Sequence, residues 1–394
     1  MKKLTSFITF SIAFTIFSCS SSDSVSTPTE TYPNVIAAFS GKIDLNNLSN
    51  YATQSKPAYI TKDNTAGNPI TDKGATLGRV LFYDKNLSSN NTISCASCHI
   101  QANAFGDDTD ASDGVNGTTT RHAMRLVNSR FSNETKFFWD ERATTLEAQT
   151  SQPIQNHIEM GFSGTSGDGS ITTLITKLQA IGYYKELFKY VYGSEEITET
   201  KLQNALAQFI RSIQSFDSKY DTGRAAVQND NQPFSNFTAQ ENQGKNLFLT
   251  PPVFDTSGVR ISGGFGCAGC HAPPEFDIDP NTKNNGVIGV LNGTGIDITN
   301  TKAPSLRDLL NANGTPNGPM MHTGSFATLQ NVIGHYGTIT IAPRNTNLDP
   351  RLTPNGFGQQ LNINATEVTA LIAFIKTLTG TNVYTDPKWS SPFK

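Results

Sequence analysis

The string Cys-x-x-Cys-His occurs twice, at Cys95-Ala96-Ser97-Cys98-His99 and at Cys267-Ala268-Gly269-Cys270-His271, and nothing else in the chain restricts the fold as much. Two thiols one short turn apart can reach the two vinyl groups of one porphyrin, and the adjacent imidazole can turn to its iron as proximal ligand. A zinc site would want four thiols or further His at close spacing. The chain has five cysteines, and setting Cys19 aside leaves four, all inside the two strings. An even cysteine count in an exported chain ordinarily suggests disulfides. The doubled motif with no cysteine to spare points instead to two covalent haem c groups, attached at Cys95, Cys98, Cys267 and Cys270, with His99 and His271 as axial ligands.

The beginning of the chain reads as an export signal. Lys2 and Lys3 precede the apolar run Leu4 to Phe17, which is too short to span a bilayer. Ile16-Phe17-Ser18-Cys19 resembles a bacterial lipobox, so residues 1–18 read as a lipoprotein signal peptide and Cys19 as the lipidated residue; an ordinary signal peptide with an incidental cysteine is the alternative. Residues 19–45 read as a lipid-anchored tether, richest in Ser, Thr, Asp and Pro over Ser20 to Thr31. These features place the protein on a bacterial membrane, facing the periplasm. A length of 394 residues favours two domains, here 46–222 and 223–394, one per motif. The net charge of −3 gives no reason to expect nucleic acid.

Helical spacing of apolar residues runs through Thr71 to Tyr83, Ile171 to Lys177, Tyr183 to Tyr192 and Thr198 to Phe216. Thr238 with Glu241, and Asn364 with Glu367, make capping boxes opening helices through Phe248 and Leu378. Strand-like alternation is scarce. Phe216 to Phe237, polar and broken by Pro233, reads as the interdomain boundary, and Asn281 to Thr301 as a long surface loop. Each half carries a helix ending in Leu-Phe (Leu81-Phe82, Leu247-Phe248), a polar stretch and then Cys-x-x-Cys-His. The predicted fold is mainly α: two cytochrome c-like haem domains, related by duplication, with long loops and little β.

Beyond the haem motifs the chain resembles the bacterial di-haem cytochrome c peroxidase family, which includes MauG. The strings that carry the resemblance are Leu77-Gly78-Arg79-Val80-Leu81-Phe82-Tyr83-Asp84, Phe138-Trp139-Asp140-Glu141-Arg142-Ala143, Leu146-Glu147-Ala148-Gln149, Glu159-Met160-Gly161, Ala303-Pro304-Ser305-Leu306-Arg307-Asp308, His322-Thr323-Gly324 and Thr328-Leu329. They follow the family order over roughly residues 60 to 380. The resemblance implies a peroxidatic N-terminal haem and an electron-transferring C-terminal one. It makes Glu159 the acid/base, Gln149 its companion hydrogen-bond donor, and Trp139 a relay between the haems. In isolation Trp139 would read as a core aromatic, and Trp389 as packing.

Three departures matter. A removable distal His common in the family would fall near Gly114, and no His lies between His99 and Arg121, which leaves the first haem open at its sixth position; His122 and Met124 are the nearest alternative ligands. The Met ligand of the second haem is replaced by Tyr336, as in MauG, with Met320 and Met321 as rivals. His335 lies about 100° from Tyr336 round a helix, so only one of the two can face the iron. The family's calcium ion would take carbonyls at Asn317 and Pro319, but His122 stands where its Asn ligand should be, a poor donor for a hard cation.

The expected function is a peroxidase that reduces hydrogen peroxide to water with electrons from a small cytochrome c or copper protein. The alternative is a MauG-like high-valent di-haem oxidase acting on a protein or other bulky substrate. A plain di-haem electron carrier is the reading from a different class. The resemblance points to a homodimer, of which the sequence has no independent sign.

Overall fold

The computed structural model describes residues 31–133, 136–277 and 282–393, so the signal peptide and Cys19 lie outside the described residues. From residue 33 onward the chain is mainly helical. Its helices are α1 (Pro33–Phe39), α2 (Asp72–Tyr83), α3 (Cys95–Cys98), α4 (Leu146–Thr150), α5 (Ile171–Gln179), α6 (Gly182–Tyr192), α7 (Glu199–Ser212), α8 (Lys219–Ala225), α9 (Ala239–Leu249), α10 (Leu329–Gly337) and α11 (Ala365–Lys376). Among the described residues the strands form two ribbons, β1 (Asp113–Gly114) with β2 (Gly117–Thr118) and β3 (Pro252–Phe254) with β4 (Arg260–Gly263), beside isolated bridges. Among the described residues no helix is long and apolar enough to cross a membrane.

Two helix pairings organise the molecule, α2 with α7 and α9 with α11, and they repeat each other residue by residue. A Cβ added at Gly78 of α2 would lie 2.0 Å from the Ala205 carbonyl oxygen and 2.7 Å from Phe209 Cβ on α7. One added at Gly244 of α9 would lie 1.9 Å from the Ala370 carbonyl oxygen and 2.9 Å from Phe374 Cβ on α11. Only a residue without a side chain lets the helices approach so closely. One turn on, the Phe of each Leu-Phe pair meets the same partner: Phe82 and Phe209 have ring centroids 5.2 Å apart, as do Phe248 and Phe374. A third Phe, just past each Cys-x-x-Cys-His, closes the cluster, Phe105 6.0 Å from Phe82 and Phe276 5.7 Å from Phe248. The Leu-Phe repeat read from sequence is thus the visible part of a repeated packing unit.

Side-chain caps set several helix starts, two of them as expected. Thr71 accepts from the Gly74 N–H at 2.9 Å, and Thr238 with Glu241, and Asn364 with Glu367, form reciprocal boxes. Helix α7 stops at Ser212, short of the predicted Phe216. There Asn128 takes over the backbone: its N–H donates to the Ile213 carbonyl at 3.0 Å, and its side chain pairs with both Ser215 backbone groups. A tertiary strap of this kind is invisible to periodicity.

Two further segments differ from expectation. Within the stretch read as tether, α1 is folded, with Val35 and Phe39 buried and the Val35 N–H donating to Glu186 at 2.9 Å. The Phe216 to Phe237 stretch contains α8, and its Tyr220, Phe234 and Phe237 join Phe248, Phe276 and Phe374 in one core. Asp221 of α8 takes a buried, bidentate pair of bonds from Arg307, both 2.9 Å. Residues 282–301 are irregular, as predicted, but not merely superficial. Asn284 is fully buried, its Oδ1 accepting from the Gly286 N–H and the Asn345 side chain.

Candidate functional site

The two Cys-x-x-Cys-His turns are built alike. Ser94 and Ser97 box the start of α3, and the His99 N–H closes onto the Cys95 carbonyl at 3.0 Å; the His271 N–H closes onto Cys267 at 2.9 Å. Each imidazole is then oriented from behind by backbone. His99 Nδ1 lies 3.2 Å from the Phe105 carbonyl, and His271 Nδ1 lies 3.3 and 3.1 Å from the Phe276 and Pro304 carbonyls. Both Phe residues hold left-handed backbone, φ 58° and 59°, which swings these carbonyls toward the rings. A carbonyl at Nδ1 fixes the tautomer with Nε2 free to ligate. Burial pushes both imidazoles down, His271 to about 4, so both are neutral, the state a metal requires.

The four cysteines are free thiols. Burial pushes Cys95 and Cys267 up to about 12 and Cys98 to about 11. A redox dithiol is marked by a lowered thiol pKa, and the shift here is in the opposite direction.

Around the second turn lies a cavity of about 440 Å³, within the usual size range of cofactor sites. Cys267, Cys270 and His271 line it together with Tyr336, Met320 and Met321, and so do Trp139, His122, Met124 and Arg125. The residues present fit a haem: paired thiols, an imidazole with free Nε2, and apolar walls. Tyr336 turns its ring into this space, and its hydroxyl has Asn285 Nδ2 at 3.5 Å. Burial, and then the neighbouring Cys270, push the phenol well above its ordinary pKa. His335 faces the other way, its Nε2 2.9 Å from the Asn285 carbonyl. Asn285 Nδ2 also approaches Met321 Sδ at 3.4 Å, so one amide touches both candidate ligands.

At the first turn, Glu159 is close enough for its charge to be felt by Cys95 and Cys98. Burial raises its carboxyl pKa, opposed by Arg142. Among the described residues no group hydrogen-bonds the side chain of Glu159 or of Gln149 on α4, so both are free to act on a ligand. The Glu159 backbone, by contrast, is clamped. Asn156 Oδ1 accepts its N–H at 3.1 Å, and the Val115 and Asn116 N–H groups donate to the Glu159 and Ile158 carbonyls, both at 3.1 Å. Gly114, the position where a distal His was sought, lies against this segment: a Cβ there would sit 2.1 Å from the Ile158 carbonyl oxygen. His122 and Met124, considered as ligands at the first haem, line the second cavity instead.

Trp139 is buried between left-handed Phe138 and Glu141, its Nε1 donating to the His122 carbonyl at 2.7 Å. Its ring centroid is 6.3 Å from that of His322, a buried imidazole with neither nitrogen hydrogen-bonded. Trp389 packs as expected, buried with Nε1 3.3 Å from Ser212 Oγ. Of the residues expected at calcium, Pro319 lines the cavity, Asn317 Nδ2 donates to the Asp308 carbonyl at 2.8 Å, and His122 Nδ1 is 2.9 Å from the Thr109 carbonyl. Among the described residues no cluster of three or more His, Cys, Asp or Glu side chains gathers to hold a metal ion. Asn156, Asn285 and Arg125 escaped the sequence reading. Arg125 left one trace, a lone charge in Ala123-Met124-Arg125-Leu126-Val127.

Two such turns in a mainly helical chain define the class, a di-haem oxidoreductase. Residues 72–230 match the family model for di-haem cytochrome c peroxidase. The methylamine utilization protein MauG of Methylophilus methylotrophus is 30% identical over 322 residues, covering 79% of this chain and 84% of that protein. The cytochrome c551 peroxidase of Nitrosomonas europaea is 28% identical over 320 residues, 78% of this chain and 80% of the relative. A crystal structure of a MauG-like protein associated with microbial copper homeostasis superposes with TM-score 0.66 at 28% identity, over 86% of this chain and 99% of the other. The chain belongs to the di-haem cytochrome c peroxidase and MauG family.

Proposed function

We propose that the protein is a di-haem peroxidase that reduces hydrogen peroxide to water. The observation that carries this reading is Glu159: a half-buried carboxyl without a hydrogen-bond partner among the described residues, its backbone clamped, within electrostatic reach of the first pair of haem-binding thiols. Haem held at each Cys-x-x-Cys-His turn supplies an iron centre for binding peroxide and passing electrons. The chain supplies the rest. Glu159 takes the proton from the near peroxide oxygen and returns it to the far one, so that H₂O₂, two electrons and two protons give two waters. Gln149 offers its amide to the oxygens. Trp139, which lines the second cavity, stands on the electron route, and Tyr336 closes the second site.

In this reading Cys19 anchors the chain to a bacterial membrane, facing the periplasm, and a small cytochrome c or copper protein donates the electrons. The purified di-haem protein should oxidise a reduced small cytochrome c in proportion to added peroxide. Absence of peroxide-dependent turnover with every small cytochrome c and copper protein tried would refute it.

A second reading rests on Tyr336 in the cavity beside Trp139: oxidation of a bulky, protein-borne substrate through Trp139. Slow turnover with small donors, together with oxidation of an added protein, would favour that reading.

A further inference from the structure

The cavity of the second turn is lined by a cation that forms no ion pair among the described residues. Arg125 lines it with His271, Cys267 and Trp139. The side-chain stem packs beside the first centre, where a Cβ on Gly106 would come 2.7 Å from Arg125 Cγ. Next to it, the Leu126 N–H donates at 3.2 Å to the Phe105 carbonyl, the one that orients His99. The head group is under-used. Nη2 donates to the Ser305 carbonyl at 3.1 Å, whereas Nε is buried without a partner. Among the described residues no carboxylate forms an ion pair with it. Asp308, the acid whose charge it feels most, accepts at Oδ1 from the Gly380 N–H at 2.8 Å and leaves Oδ2 buried without a hydrogen-bond partner, outside ion-pair distance of the guanidinium.

A buried guanidinium is tolerated when an anion completes its planar fork. Desolvation lowers its pKa to about 10, still leaving it charged at neutral pH, and its field is felt at His271. The haem expected in this cavity carries carboxylates of its own.

We infer that Arg125 is a positioning residue for the second haem, holding one of its propionates as a buried ion pair. This rests on the di-haem reading of the site. The fixed positive charge favours the reduced haem and so raises its reduction potential. Arg125 thereby sets how readily the second haem gives up its electron, without touching peroxide.

The test is a spectroelectrochemical titration of full-length holoprotein for wild type, Arg125→Met, Arg125→Gln and Arg125→Lys, after haem content is assayed. Arg125→Met should shift the second haem's reduction equilibrium at least about tenfold toward ferric, about 59 mV for a one-electron couple. It should also make the potential pH-dependent near neutrality, where the released propionate titrates, while Arg125→Lys stays near wild type. Should the Met variant not accumulate, Gln against Lys gives the same contrast, and equal potentials for those two overturn the proposal. So does a Met variant with two haems and a wild-type potential. Fewer than two haems in the wild-type protein would instead defeat the di-haem reading itself.

Discussion

Gly114 and Glu159 are in backbone contact: a Cβ on Gly114 would stand 3.0 Å from Glu159 Cα and 2.1 Å from the preceding carbonyl oxygen. The hairpin β1–β2 is thus the clamp that fixes Glu159. Gly114, the position where the family's distal His would fall, thus also helps to set where Glu159, the proposed acid/base, stands.

Replacing Gly114 by Ala should therefore harm both stability and turnover. Overpacking of this kind costs about 1–3 kcal/mol, and a displaced carboxylate loses alignment with peroxide. Denaturant unfolding should show the loss, and peroxide turnover should fall at least about tenfold. Wild-type turnover in Gly114→Ala would show that the clamp does not position Glu159.

Glu159→Gln should lower turnover by about 10²–10⁴-fold, the usual contribution of a positioned acid/base. Burial raises the Glu159 carboxyl pKa. The active carboxylate form is therefore lost, as pH falls, at a higher pH than for an ordinary Glu near about 4.3. The pH profile of kcat/KM should show an acid limb above that value, absent from the Gln variant. An unchanged limb in Glu159→Gln would move the role to another group.

The paired glycines should be equally intolerant. Gly78→Ala and Gly244→Ala each force a Cβ against a facing helix carbonyl at 2.0 and 1.9 Å, so each should cost at least about 1–3 kcal/mol. Chemical denaturation of each variant measures this. A cost confined to one glycine would mean that the two halves do not bear load alike.

Arg307 and Asp221 tie the connector helix α8 to the second core through two 2.9 Å bonds. Burial works to raise the Asp221 carboxyl, but Arg307 outweighs it and holds the pKa below the ordinary range. Stability from this pair is complete above the unfolded value near about 4 and is lost as pH falls through the depressed folded value. Asp221→Asn should cost about 3–5 kcal/mol at pH 7 by leaving a buried guanidinium unpaired. Stability measured from pH 7 to 3 should fall less steeply in that variant than in wild type.

Much of this was legible beforehand because the chemistry is local. Two thiols and an imidazole within five residues announce themselves, as do Thr238 with Glu241 and the Leu-Phe helix ends. The side chains of Glu159, Gln149 and Trp139 were found only through the family strings, since their meaning depends on which surface they face. Arg125 and Asn285 were invisible because their roles come from chain segments far apart in sequence. The end of α7 was misplaced for the same reason, Asn128 reaching across to capture Ile213 and Ser215.

The two haem sites are proposed to be unequal, the first open beside Glu159 and the second closed by Tyr336. The resting ferric protein, examined by electron paramagnetic resonance at low temperature, tests this directly. One high-spin and one low-spin signal in equal amounts are expected, with the low-spin signal altered in Tyr336→Met and the high-spin signal unmoved. Two low-spin signals in the wild type would contradict it.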